Sequence, residues 1–333
     1  MSDSADVLLQ KANRLLASAG KGGLFNFFSG GSEDKYEEAA DTLVKAAGAL
    51  MGDGKYKEAA KTYERAAQIY NDKTDKDTRA LAPRTYIEAF KMYIYKPRDL
   101  ESAARCVDFA THYWSRNNNV YMAANKMEPM GDAYVAEVQE IKDKERIMKL
   151  RQHAVECYES AAKWFTLTTN ANLANRNKVK AAEHAAMNAD YQRAAKHYEE
   201  LAIASKASTT FMRGYFLSNG LCHLAAGDTV AMERALLEYP DHDPGFKESH
   251  EGKLLVGLAA AQEAAELNDF EAAEAAYVQS GHSKTQYNQM IFELISRAKK
   301  TIPGQAESVE NFMGKPVEEP VEVAPANAEA DMY

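Results

Sequence analysis

The sequence predicts an all-α protein, a solenoid of stacked helical hairpins, and three observations carry that prediction. The first is a recurring phrase in which a large apolar residue is followed by mostly small residues three and four places on, and by another large residue at the seventh. It is carried by Tyr36/Ala39/Ala40/Leu43, Tyr56/Ala59/Ala60/Tyr63, Leu100/Ala103/Ala104/Val107, Leu150/His153/Ala154/Cys157, Tyr191/Ala194/Ala195/Tyr198, Val230/Glu233/Arg234/Leu237 and Phe270/Ala273/Glu274/Tyr277. These positions share one helical face, where alanines let a neighbouring helix approach and the flanking large residues fill the groove. The second is period: the last four copies start about 40 residues apart, the spacing of a helix–turn–helix repeat. The third is composition, with abundant alanine, only nine prolines in 333 residues and few stretches that alternate apolar with polar. No sheet is expected. A single hairpin cannot bury its stripe alone, so it stacks on the next, and such arrays serve as extended binding surfaces.

Taken in order, residues 1–16 place Leu8, Leu9, Ala12, Leu15 and Leu16 on one stripe of an amphipathic helix that ends at Ala19-Gly20. A glycine-flanked loop over residues 20–31 follows. Ser32 is the expected N-cap of the next helix, with Glu33 and Asp34 in its first turn. Helical phrases broken at 71–73, 96–98, 117–119, 168–170, 187–190 and 226–228 continue to Pro240. Residues 239–245, with two prolines and a glycine, interrupt the array. Residues 246–301 resume as a terminal helical bundle, closed by Ile302-Pro303-Gly304. The expected divisions are an array over 1–240, a bundle over 241–303 and a proline- and glutamate-rich tail over 304–333 with too little apolar bulk to fold.

Charge narrows the function classes. The formal net charge is −9, but from Gly304 onward Glu307, Glu310, Glu318, Glu319, Glu322, Glu329 and Asp331 face a single base, Lys315. The remaining body is nearly balanced and can carry a basic face opposite an acidic one. No lysine/arginine run and no aromatic-basic RNA motif occurs, so nucleic acid is not an expected partner. Apolar runs stop short of the roughly 20 residues of a membrane span, and residues 1–16 lack the features of a secretory signal. Cys106, Cys157 and Cys222 lie far apart in helical patterns as small apolar fillers, which suits a reduced, cytoplasmic setting.

The sharpest single feature is the loop, where Leu24, Phe25, Phe27 and Phe28 sit between glycine pairs. One arrangement tucks these side chains under the first helix; the other inserts them in a lipid surface. The glycines favour a flexible stalk over a locked core element. Lipid burial of the four side chains is worth roughly 6–12 kcal/mol before ordering and backbone dehydration are subtracted. A phosphate loop is excluded, because Gly20-Lys21-Gly22 has neither the leading glycine nor a Ser/Thr after the lysine. The histidines form no HExxH pair and the cysteines no CxxC, so no metal site, cofactor or active site is expected. His184, His197 and His223 read as residues satisfied at helix interfaces. Lys126, Arg176, Lys180, Arg213 and Lys253 recur near the repeat interval, which points to one cationic side of the solenoid or to an ordinary solvated face.

Residues 174–180, Asp190-Tyr191-Gln192-Arg193-Ala194, His197-Tyr198-Glu199-Glu200, Tyr215-Phe216 with Leu221-Cys222-His223, and Phe246-Lys-Glu-Ser-His-Glu-Gly-Lys-Leu-Leu255 resemble the soluble NSF attachment proteins, most of all the alpha type. With the Phe-rich loop and Arg297-Ala-Lys-Lys-Thr-Ile-Pro-Gly304, the resemblance covers about residues 1–304. It is loose between Tyr70 and Met148. The resemblance implies a right-handed solenoid of TPR-like hairpins, a twisted helical sheet with a C-terminal bundle. It also implies a non-enzymatic adaptor that recruits the hexameric ATPase NSF to an assembled SNARE four-helix bundle, in the cytoplasm and peripherally on membranes. The SNARE-facing residues implied are Lys126, Arg176, Lys180, Arg213 and His250, the last standing where the family usually has arginine, which weakens a contact at neutral pH. Leu24, Phe25, Phe27 and Phe28 correspond to the membrane-attaching loop, and Asp228 and Glu263 to acids facing the ATPase. One departure is large: relatives usually end soon after the Lys-Lys-Thr-Ile helix with a leucine next to last, whereas here a long acidic tail ends Asp331-Met332-Tyr333. It bears on stimulation of the ATPase more than on docking, because long-range attraction needs no fixed geometry. The alternative readings are a generic TPR-like peptide-binding scaffold and a lipid-surface protein acting through the loop alone.

Overall fold

The computed structural model describes residues 4–20, 32–96, 98–281 and 289–302. Among the described residues every regular element is helical: α1 (Ala5–Gly20), α2 (Glu33–Gly52), α3 (Tyr56–Lys73), α4 (Lys76–Arg79), α5 (Ala82–Tyr95), α6 (Leu100–Arg116), α7 (Val120–Glu140), α8 (Lys144–Leu167), α9 (Ala171–Met187), α10 (Tyr191–Ala204), α11 (Thr209–Ala226), α12 (Thr229–His242), α13 (His250–Glu263), α14 (Leu267–Gln279) and α15 (Gln289–Lys299), with a 3-10 turn at Phe246–Glu248. The all-α solenoid with a terminal bundle is therefore what the chain forms. The loop residues Leu24, Phe25, Phe27 and Phe28, and the tail from Pro303 onward, lie outside the described residues.

One turn geometry recurs along the chain. Gly54, Asn118, Thr169, Ala189, Gly227 and Ala265 all lie in the left-handed region, with φ between 57° and 73°. In each turn the next residue's N–H donates to the carbonyl five residues back: Lys55 to Leu50 (2.8 Å), Asn119 to Trp114 (2.8 Å), Asn170 to Phe165 (2.9 Å), Asp190 to Ala185 (2.9 Å), Asp228 to His223 (3.0 Å) and Glu266 to Ala261 (2.9 Å). This bond closes a Schellman motif. The donor is also the N-cap of the following helix, and the side chains of Asn170, Asp190 and Asp228 accept the N–H three residues on. One residue thus ends a helix and starts the next, which leaves no slack and sets neighbouring helices side by side and antiparallel.

Two breaks carry weaker signals. Between α7 and α8 the chain turns at residues 141–143 with no glycine or proline, and Asp143 accepts the Arg146 N–H at 2.9 Å. Between α10 and α11 it turns at residues 205–208, where Ser208 makes no side-chain cap. Ser32 precedes α2 as expected, but its side chain makes no capping bond. α12 runs two residues past Pro240, to His242, where the sequence suggests a stop.

From α1 to α11 each helix packs mainly on its neighbours in sequence, with α3 meeting α5 across the short α4. The result is a sheet of helices. At α11 the pattern changes, because α11 also packs on α12, α13 and α15. Phe216, Leu217, Ser218, Asn219, Gly220, Leu221 and Cys222 are buried in succession, so α11 has no wet face there. Its buried amide is satisfied: Asn219 donates to the Ala195 carbonyl at 2.8 Å and accepts from the Tyr239 hydroxyl at 2.5 Å. A single apolar cluster runs from Ala154 on α8 to Ile302 beyond α15, without a break at Pro240.

The recurring phrase marks the buried face in most of its copies, with Leu43, Tyr63, Val107, Cys157, Tyr198, Phe270 and Tyr277 all buried. On α12 that expectation fails. Val230 and Leu237 are 75% and 72% exposed, and the buried stripe is the opposite one, Met232, Ala235 and Tyr239. α12 covers α11 instead of extending the sheet, and Tyr239 stacks on Phe216 (centroids 4.4 Å apart) while meeting Phe246 edge-on (5.0 Å). The aromatic contacts plus a buried hydrogen bond outweigh burial of two aliphatic side chains.

Candidate partner-binding site

Among the cationic positions, Arg176, Lys180, Arg213 and Lys253 are paired with carboxylates. Arg176 and Asn177 lie four and three residues before Lys180 on α9, and all three side chains reach Glu128 on α7. Arg176 Nη2 lies 2.6 Å from Glu128 Oε2, and the amide of Asn177 donates to the same oxygen at 3.3 Å. Lys180 Nζ reaches Glu128 Oε1 and Asp132 Oδ1, both at 2.8 Å. α8 completes the cluster: the Tyr158 hydroxyl donates to Asp132 at 2.7 Å, and Lys180 Nζ sits 5.2 Å from the centre of the same ring. Tyr158 comes this close to α7 because it faces Gly131, where a Cβ would fall 2.7 Å from the ring.

Burial works against the Glu128 carboxylate, yet hydrogen bonds from Lys180 and Arg176 outweigh it and hold its pKa below the usual glutamate value. For Lys180 burial is likewise outweighed, by Asp132 and Glu128, and the ammonium is held above its usual value. The acid is deeper than its partners: the side chain of Glu128 is 13% exposed, that of Arg176 55%.

Lys126 lies two residues before Glu128 on α7 and is half-buried. Burial, helped by Lys91 and opposed by Glu88, lowers its pKa, and among the described residues no carboxylate lies within ion-pair distance of it. Arg213 sits apart from this cluster, with Nε 2.5 Å from Asp243 Oδ2, and Asp243 also accepts the Gly245 N–H at 3.1 Å. His250 is exposed at the start of α13, and Lys253 lies 3.7 Å from Glu248. Asp228 is the N-cap of α12, accepting the Ala231 N–H at 2.9 Å, and Glu263 is exposed at the end of α13.

The structure therefore brings Arg176 and Lys180 together, places Lys126 on the helix that holds their acids, and leaves Arg213 and His250 further along the chain's terminal region. Glu128, Asp132, Tyr158 and Asp243 are the members that sequence reasoning missed. Glu128 and Asp132 are four residues apart on α7, but nothing in the linear pattern ties them to α9.

Two other polar sites are formed. Glu159 on α8 accepts hydrogen bonds from Arg193 (Nε, 2.7 Å) and pairs with His197 Nε2 (2.7 Å) on α10. Burial opposes its ionisation, but these partners outweigh it and bring its pKa to about 2. His184 stacks on Tyr158, and burial, reinforced by Arg151 and Lys180, brings its pKa down to about 4. His184 and His197 lie between helices as expected, but they are not fully satisfied: among the described residues the buried Nδ1 of each has no hydrogen-bond partner. A groove of about 440 Å³ over α11, between α10 and α12, is lined by charges of both signs, including Lys196, Glu199, Arg234 and Glu238. Cys106, Cys157 and Cys222 are free and buried, and burial pushes each thiol's pKa up. Among the described residues no group of His, Cys, Asp and Glu could hold a metal ion, and no helix is long and apolar enough to cross a membrane.

Comparison with known proteins adds identity to this geometry. Residues 3–303 match the family model described as soluble NSF attachment protein, SNAP. The chain is 34% identical over 275 residues to the probable vesicular-fusion protein sec17 homolog of Neurospora crassa, covering 81% of this chain and 88% of that relative. It is 33% identical over 268 residues to the protein of the same description from Schizosaccharomyces pombe, covering 80% and 86%. With the alpha-soluble NSF attachment protein of Saccharomyces cerevisiae it shares 27% identity over 261 residues, covering 78% and 84%. A match across nearly the whole helical body, from α1 to the end of α15, means that this chain belongs to the soluble NSF attachment protein (SNAP) family.

Proposed function

We propose that this chain is a non-enzymatic adaptor, cytoplasmic and peripherally membrane-associated, that binds assembled SNARE four-helix bundles and recruits and activates an NSF-type hexameric ATPase to take them apart. The observation that carries the reading is family membership across residues 3–303, together with the clustering of Arg176 and Lys180 beside the helix that bears Lys126. A sheet of helices offers a long, rigid surface to another bundle of helices. In this reading the array meets the SNARE bundle through Lys126, Arg176, Lys180, Arg213 and His250. The terminal bundle over 241–303, with Glu263, faces the ATPase, together with Asp228 just before α12. Leu24, Phe25, Phe27 and Phe28 attach the complex to the lipid surface, and the acidic tail over 304–333 supplies long-range attraction.

The test is a pull-down with a soluble SNARE bundle, followed by NSF and ATP, using the full chain, a chain stopped at Gly304, and the double variant Lys126→Glu with Arg176→Glu. The full chain is expected to bind and to support disassembly, and the double variant to lose binding while keeping its helicity. Retained binding by that variant overturns the assignment of the face. Capture of isolated extended peptides in preference to assembled bundles would instead favour the peptide-binding scaffold.

A further inference from the structure

We infer that Glu128, with Asp132 beside it, is a built-in competitor for the acidic partner of this face, and that it sets how strongly and how selectively the face binds. The inference rests on the adaptor reading, because it concerns the same surface. Glu128 is anchored from behind: it is mostly buried, and Asn177 donates to the oxygen that Arg176 also holds. Arg176 is 55% exposed, and a guanidinium has five N–H donors, so its outer edge is still open to an incoming carboxylate. Lys180 is more committed, bonded to both acids. Two cations and two acids at this cluster cancel, so from a distance the face presents little net charge.

The arrangement recurs at Arg213, where the carboxylate of Asp243 is 9% exposed and is itself fixed by the Gly245 N–H. Lys126 differs in having no such acid among the described residues. An intramolecular carboxylate acts at high effective concentration, so a single carboxylate on a flexible strand competes poorly for Arg176. A partner that offers several carboxylates at fixed spacing can share both cations without displacing Glu128 and gains from each contact. The arrangement therefore selects a rigid acidic surface, such as a bundle of helices, over a lone acidic peptide.

The test compares wild type, Glu128→Gln, Glu128→Asp and Asp132→Asn for binding to a soluble SNARE bundle and to a single acidic peptide across a salt series, with thermal melts to confirm folding. Glu128→Gln is expected to bind the bundle about three- to tenfold more tightly at low salt, with a steeper loss of affinity as salt rises. It should also gain binding to the lone peptide. Glu128→Asp, which keeps the charge, should stay near wild type, and Asp132→Asn should move in the same direction as Glu128→Gln by less. If Glu128→Gln does not fold, Asp132→Asn carries the test. Wild-type binding with neither charge-removing variant tighter and an unchanged salt slope overturns this inference alone. A wild-type chain and variants that all fail to bind the bundle overturn the adaptor reading as well.

Discussion

The open array and the end built around α11 bury apolar surface in different ways. In α8 the buried side chains, Leu150, Ala154, Val155, Cys157, Tyr158, Ala161, Ala162 and Phe165, fall on stripes and leave a wet face. In α11 they run consecutively from Phe216 to Cys222. An array helix answers mainly to its two neighbours, whereas α11 answers to α10, α12, α13 and α15. The difference implies that damage stays local in the array and spreads at the terminal end.

The largest expected effect tests that directly. Phe165 and Phe216 are both fully buried, and replacing either by alanine should cost about 3–5 kcal/mol. Phe216→Ala is expected to lower hydrogen-exchange protection across α10 to α13 and α15, because Phe216 stacks on Tyr239 and meets Phe246 at 5.7 Å. Phe165→Ala, whose cluster is Ala124, Ala161 and Ala174, should lower it only in α7 to α9. Equal spread from both sites would erase the distinction.

Next in size is Gly252→Ala at the start of α13. A Cβ there would lie 2.0 Å from the Phe246 carbonyl oxygen, with further backbone atoms at 2.8 and 2.9 Å. Backbone cannot swing aside as a side-chain tip can, so a loss of about 2–3 kcal/mol in denaturant titration is expected. A loss near zero would show that the 3-10 turn at Phe246–Glu248 is loosely held.

Acid should weaken the array in two separate windows. The folded His184 titrates at about 4, below the ordinary value of 6.5, so the unfolded chain takes up the proton first and stability falls as pH drops from 6.5 towards 4. Glu159 titrates at about 2 against an ordinary 4.5, so its stabilisation is complete above 4.5 and is lost as pH falls towards 2. Melting temperature against pH should show both limbs. His184→Phe, which keeps a ring against Tyr158, should shrink the upper one and leave the part due to His223, whose pKa burial also lowers; an unchanged upper limb would mean that another group controls it.

The smallest effect is a gain. Ala189 holds a left-handed φ of 61° in the turn between α9 and α10, a conformation that costs an alanine about 1 kcal/mol. Ala189→Gly should recover part of that, less the extra entropy of the unfolded glycine. Ala265→Gly, at φ 58° between α13 and α14, makes the matching test at the terminal end. A raised urea midpoint in one and not the other would show which turn is strained.

Much of the array is legible from local pattern. The phrase at Tyr191/Ala194/Ala195/Tyr198 marks the buried side of α10, and the Asn-Ala-Asp of 188–190 marks its start. The turns at 141–143 and 205–208 are less visible, because they use ordinary residues in extended or irregular backbone. Lys126, Arg176, Lys180, Arg213 and Lys253 recur in the sequence near the repeat interval, whereas His250 stands outside that set and is implied only by the family resemblance. Their acids could not be read, since Glu128 meets Arg176 and Lys180 across 48 and 52 residues.

What the sequence determines by itself is the hairpin unit: stripes at helical spacing, and turns closed by a hydrogen bond five residues back, all set by contacts within one or two turns of chain. Only the tertiary structure decides that α12 buries Tyr239 rather than Val230 and Leu237, that Arg176 and Lys180 carry carboxylate partners from α7, and that Arg213 carries one from Asp243, just after α12. Packing and Coulomb energies depend on distance in space, and in a stacked array residues tens of positions apart become neighbours.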